Sequence, residues 1–155
     1  NNSFIAALLS MSIFSPFALA NENINASYEQ ALISFQSEEF SSAIIHLKNI
    51  IQENPNHMPS RVLMAQILIT QGNGSAAQVE LDKARDGNVD NDRLITLYGH
   101  AYILQGMYDE ALTVAKLGQR NEQIETELLL IRGQAYIGKK PVTYTHMTLP
   151  TISPV

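Results

Sequence analysis

The chain has 155 residues, 45% of them hydrophobic and 16% charged, with a net charge of −5 and no cysteine. That length allows one modest domain with a buried core, and an acidic balance with only ten Lys and Arg argues against nucleic acid or an anionic membrane surface as partners. The lack of cysteine excludes disulfides, zinc–thiolate sites and cysteine nucleophiles.

The first element is an uncharged run, FIAALLSMSIFSPFALA, from Phe4 to Ala20. It ends in Ala18-Leu19-Ala20, the small-x-small pattern that a signal peptidase cuts, and polar Asn21-Glu22-Asn23 follows. Residues 1–20 are therefore expected to be an export signal lacking its basic start, which places the mature chain in the periplasm or at the cell envelope. Two other readings stay open. One is an uncleaved membrane anchor, weakened because Ser10, Ser12, Ser15 and Pro16 interrupt a run that needs about 20 apolar residues. The other is a buried core helix.

From residue 24 the chain repeats itself with a period of 34 residues. Small residues recur at Ala31, Ala65, Gly99 and Gly133, and again at Ala43, Ala77 and Ala111. Larger positions keep the same phase: Ser34, Leu68, Tyr102 and Tyr136, then Leu47, Leu81 and Ala115, then Ile50, Ala84 and Gly118. Within each period the apolar residues follow helical spacing, as in VLMAQIL over 62–68 and in Leu97, Ala101 and Leu104. Gln71-Gly72-Asn73-Gly74 and Gln105-Gly106 interrupt the helices at matched places, which predicts tight turns and antiparallel helix pairs. Small residues at Ala31, Ala65, Gly99, Gly133, Ala43, Ala77 and Ala111 suit close packing between helices, and Tyr102 and Tyr108 fill the space they leave.

A period of about 34 residues is that of the tetratricopeptide repeat, a helix–turn–helix unit. GHAYILQGMYDEAL, over 99–112, resembles the core pattern of that family, and AQILITQGNGSAAQVELDKA and ALISFQSEEFSSAIIHLKNIIQENPNH repeat the scheme. The departures are Ser34 and Gly74 in place of aromatic residues and Val89 in place of the Pro55 of the first unit. The resemblance implies an all-α fold, a solenoid of antiparallel helix pairs with units over about 24–57, 58–91 and 92–125 and the first helix of a fourth over 126–138. It also implies a face, formed by the first helix of each unit, that binds a peptide or protein segment. The residues on that face are Leu32 and Phe35, then Val62, Gln66 and Ile69, then Thr96, His100, Ile103 and Leu104, and finally Leu130, Gln134 and Ile137. The opening unit is similar to those of bacterial exopolysaccharide-export accessory proteins of the PEP-CTERM-associated type, which implies a role in assembly or secretion at the envelope.

The tail from residue 139 to 155, KKPVTYTHMTLPTISPV after Gly138, has three prolines, no acidic residue and no helical period. It reads either as a Thr/Pro-rich linker or as a foreign scar, since VTYTHMTLPT resembles translated transposon-adapter sequence.

No catalytic constellation emerges. The histidines, His46, His57, His100 and His146, include no pair at the helical spacing that shares a metal. Glu38-Glu39 and Asp109-Glu110 sit where a helix N-terminus favours negative charge. The expected function is thus a non-enzymatic interaction scaffold with a protein or peptide partner, no cofactor, no metal and no nucleic acid, in contact with membrane only through an uncleaved signal. The alternative is a structural spacer within a larger exported protein.

Overall fold

The computed structural model describes residues 16–140, with side chains from residue 23. Most of the expected export signal and nearly all of the Thr/Pro-rich tail lie outside the described residues. Among those described, the chain forms seven α-helices and no strand: α1 (Pro16–Gln36), α2 (Phe40–Glu53), α3 (Met58–Thr70), α4 (Gly74–Asp86), α5 (Asn91–Leu104), α6 (Tyr108–Val114) and α7 (Glu122–Lys139). The fold class is all-α and of the tetratricopeptide-like helical-repeat type, as the 34-residue phasing predicts.

Two compact units, Asn1–Ser60 and Arg61–Val155, divide within the first turn of α3. In the first, α1 packs on α2. Ala31, Ala43, Leu47 and Ile50 are fully or almost fully buried, and the rings of Phe35 and Phe40 lie 6.1 Å apart across the turn. Ser34 stands where the later units have Leu68 and Tyr102. It is buried and shares a 3.1 Å hydrogen bond with Ser42, so the polar substitution is satisfied rather than stranded.

In the second unit α5 packs against α4, α6 and α7, and α6 also packs against α7. One core joins Val62 and Ala65 of α3, Ala77, Leu81 and Ala84 of α4, and Leu94, Tyr98 and Ala101 of α5. A second joins Ile95 of α5, Ala111 and Ala115, and Leu128, Ile131 and Ala135 of α7. The small-residue series explains the closeness. A Cβ on Gly99 would lie 2.7 Å from Ile131 Cδ1 and 2.9 Å from its Cγ2, so a larger residue there would force Ile131 or the helices to shift. At Gly133, the last member of the series, a Cβ would meet nothing within 4 Å, and the residue is exposed.

The turns repeat as strictly as the helices. Glu38, Gly72 and Gly106 share one register position, and all three have left-handed backbones, with φ of 59°, 77° and 71°. The next residue in each turn donates its N–H back to the last helical turn: Glu39 to Ser34 at 2.8 Å, Asn73 to Leu68 at 2.8 Å and Met107 to Tyr102 at 2.9 Å. This is the Schellman closure, which satisfies helix-end carbonyls and reverses the chain. Asn88 (φ 62°) closes α4 similarly, with Val89 donating to Ala84 at 3.1 Å.

The third unit departs from the pattern. Its returning helix α6 has 7 residues, where α2 has 14 and α4 has 13. Helices hold mainly through the apolar face they bury. Where Leu47 and Ile50, or Leu81 and Ala84, pin the later turns of α2 and α4, α6 would offer only Ala115 and Gly118. The chain therefore leaves the helix at Ala115, and Gly118 falls in a loop. That loop is nevertheless fixed. The Glu125 carboxylate accepts from the N–H groups of Gly118 (3.1 Å) and Arg120 (3.3 Å), while the Arg120 guanidinium donates to Asp92 (2.8 Å) and to the Lys116 carbonyl (3.1 Å).

Candidate functional site

Three columns of residues cross α3, α5 and α7 at the repeat period: Val62, Thr96 and Leu130; Gln66, His100 and Gln134; Ile69, Ile103 and Ile137. All lie in the second compact unit. The columns differ in exposure along the array. Val62 and Thr96 are buried, at 8% and 9% exposure, and Val62 belongs to the core shared with α4 and α5. Leu130, at the same register, is 58% exposed. Gln66 and His100 are half-buried and Gln134 is exposed. Ile69 and Ile103 are half-buried against the two cores, whereas Ile137 is 73% exposed. Leu104 adds a further apolar surface, 44% exposed, at the end of α5. In the first unit, Leu32 and Phe35 on α1 are half-buried.

Within this face His100 has a partner that its sequence position does not reveal. Its Nε2 lies 2.9 Å from Glu127 Oε1, joining α5 to α7. Arg61, which stands beside the face in sequence, is buried and ion-paired with Glu80 at 2.8 Å, and Glu80 also holds Lys83 at 2.9 Å. The side chain of Gln105 donates to Gln78 at 3.0 Å, tying the end of α5 to α4. Beside these pairs the face is made of aliphatic side chains and amides.

Tyr98 is fixed behind the face. Its hydroxyl donates to Asp82 at 2.8 Å, the Arg85 guanidinium lies 5.9 Å from the ring centroid, and the Tyr102 ring stacks at 5.9 Å. Burial, followed by the bond to Asp82, pushes the phenol well above its ordinary pKa, so it remains a neutral donor. In the first unit, His57 packs edge-on against Tyr28 with centroids 5.3 Å apart, and its Nδ1 lies 2.7 Å from Ser60 Oγ. Burial lowers the His57 pKa, which favours the neutral ring.

Among the described residues no group of three His, Asp or Glu side chains is placed to hold a metal ion. No described helix is long and apolar enough to cross a membrane.

A family model described as tetratricopeptide repeat matches residues 34–94. The match runs from the last turn of α1 to the first turn of α5, and it supports reading the chain as a tetratricopeptide repeat protein. No curated protein matches the chain. Tetratricopeptide repeats generally mediate protein–protein interaction and typically serve as non-enzymatic scaffolds.

Proposed function

We propose that this protein is a non-enzymatic scaffold of the bacterial cell envelope, and that it binds an extended peptide or protein segment across the first helices of its repeats. The observation that carries the proposal is the apolar surface left on those helices at matched register. Ile69, Ile103 and Leu104 remain partly exposed in the middle of the array, beside the amide of Gln66 and the Glu127-anchored His100. Neighbouring apolar patches with a few fixed polar groups are what a docked segment requires. Arg61 beside the face is held by Glu80, and the side chains exposed on it are mainly aliphatic, which favours an apolar segment over an acidic one as its partner.

The envelope setting rests on the uncharged Phe4–Ala20 run and its Ala18-Leu19-Ala20 ending, and exopolysaccharide export on the likeness of the opening unit. The spacer alternative draws on the burial of Val62 and Thr96, which narrows the available face. Co-purification from envelope extract separates the two. Ile69→Asp and Leu104→Asp, each checked by circular dichroism, are expected to lose a partner that the wild-type chain retains. If both variants fold and keep every partner, the array is a spacer.

A further inference from the structure

The early end of α6 opens a cavity of about 260 Å³ beside α5. Its walls are Ile95 and Tyr98 of α5 and Val114 of α6, and Asn91 and Thr113 add polar edges. Ile95 and Tyr98 are themselves buried, and the Tyr98 hydroxyl is committed to Asp82. The wall is therefore rigid and largely apolar. Its charged lining is wholly cationic: Lys116 and Arg120 reach it, and no acidic side chain does. Arg120 is already balanced by Asp92 and Glu125. Lys116 makes no ion pair among the described residues, although its carbonyl accepts from Arg120.

The first two repeats carry buried side chains on the later turns of their returning helices. Leu47 and Ile50, then Leu81 and Ala84, are fully or almost fully buried on α2 and α4. Ala115 and Gly118 supply far less bulk at those register positions. The third repeat thus carries less hydrocarbon at the end of its returning helix, and Lys116 stands beside the cavity that adjoins it. The loop that forms the rim is held by four hydrogen-bonded contacts to Glu125, Asp92 and the Lys116 carbonyl, so the opening does not depend on a floppy segment.

We propose that this cavity is a binding site for a short-chain apolar carboxylate, whose hydrocarbon fills the space against Ile95, Tyr98 and Val114 and whose carboxylate pairs with Lys116. The volume falls just below the roughly 300–1,000 Å³ of ordinary ligand pockets, so the occupant is small. Its hydrocarbon leaves water for the apolar wall of Ile95, Tyr98 and Val114, which is the favourable term. Its charge meets an ammonium that makes no ion pair among the described residues, which selects an anion over an alcohol or an amine of the same length. The site lies between α5 and α6 and does not depend on the peptide-binding face.

The test is a two-dimensional amide NMR titration of the full chain with hexanoate, 1-hexanol and hexylammonium. Hexanoate is expected to give saturable shifts at Ile95, Tyr98, Val114 and Lys116, with an affinity at least about tenfold above that of hexanol, and hexylammonium is expected to give none. Lys116→Met should lose about tenfold or more for hexanoate at an unchanged melting temperature, and Lys116→Arg should retain wild-type affinity within about threefold. Lys116 is exposed, so neither variant threatens the fold. The proposal is overturned if hexanoate produces no saturable shift at these residues, if hexylammonium binds as well as hexanoate, or if Lys116→Met binds hexanoate as tightly as wild type.

Discussion

At the scale of the residue, Glu38 carries the clearest cost in the fold. It occupies the left-handed turn position that glycine fills at 72 and 106. An L-residue with a Cβ loses roughly 1–2 kcal/mol in that conformation, partly offset in glycine by its freer unfolded chain. Glu38→Gly is therefore expected to stabilise the protein by about 0.5–1 kcal/mol, read as a higher denaturant midpoint at unchanged slope. The glycines at 72 and 106 were readable as turns because the residue itself announces the conformation. Glu38 was not, since only its place in the 34-residue register assigns it the same backbone. The His100–Glu127 and Arg61–Glu80 pairs were hidden for a related reason. Each joins two helices at a separation, 27 and 19 residues, that no local rule couples.

At the scale of the element, the repeats exchange bulk across their contacts. In the second unit Gly74 opens α4, and a Cβ there would lie 2.8 Å from Leu104 Cβ and 2.5 Å from the Ala101 carbonyl oxygen. One period later Tyr108 opens α6, and its ring packs against Gly138 so closely that a Cβ on that glycine would overlap it. A small residue meeting a large one thus becomes a large residue meeting a small one, and each interface keeps its filling. This accounts for Gly74 standing where an aromatic is usual. Gly138→Leu should cost about 1–3 kcal/mol through overpacking against Tyr108. The double change Gly138→Leu with Tyr108→Gly, which copies the Leu104–Gly74 arrangement, should recover most of that loss. Thermal melts of the two singles and the double measure the coupling, and additive losses would show that the two positions do not compensate each other. The helix pairs and their turns were legible from the periodic series, whereas the early end of α6 was not. Ala115 and Gly118 keep the phase of the series while lacking the side-chain volume that holds a helix down.

At the scale of the whole molecule, the proposed function rests on what the repeats leave uncovered. Within residues 61–155, α5 is flanked by α4, α6 and α7, and the buried Gly99, Ala77 and Ala111 lie inside those contacts. Stability in such an array comes from neighbouring units, so the outward surface is free to vary with the partner. The three columns on α3, α5 and α7 were readable from the period. Their unequal exposure was not, because burial at Val62 and Thr96 depends on the packing around each helix rather than on register.

The most direct measurement is site-specific photocrosslinking in intact cells, with a photoreactive phenylalanine analogue placed singly at Ile69, Leu104, Ile45 and Val79. The first two lie on the proposed face, and the last two are exposed apolar positions on the returning helices α2 and α4. A discrete adduct of one size is expected from Ile69 and Leu104, and none of that size from Ile45 or Val79. Equal adducts from all four positions, or none from Ile69 and Leu104, would rule out a binding face on the first helices.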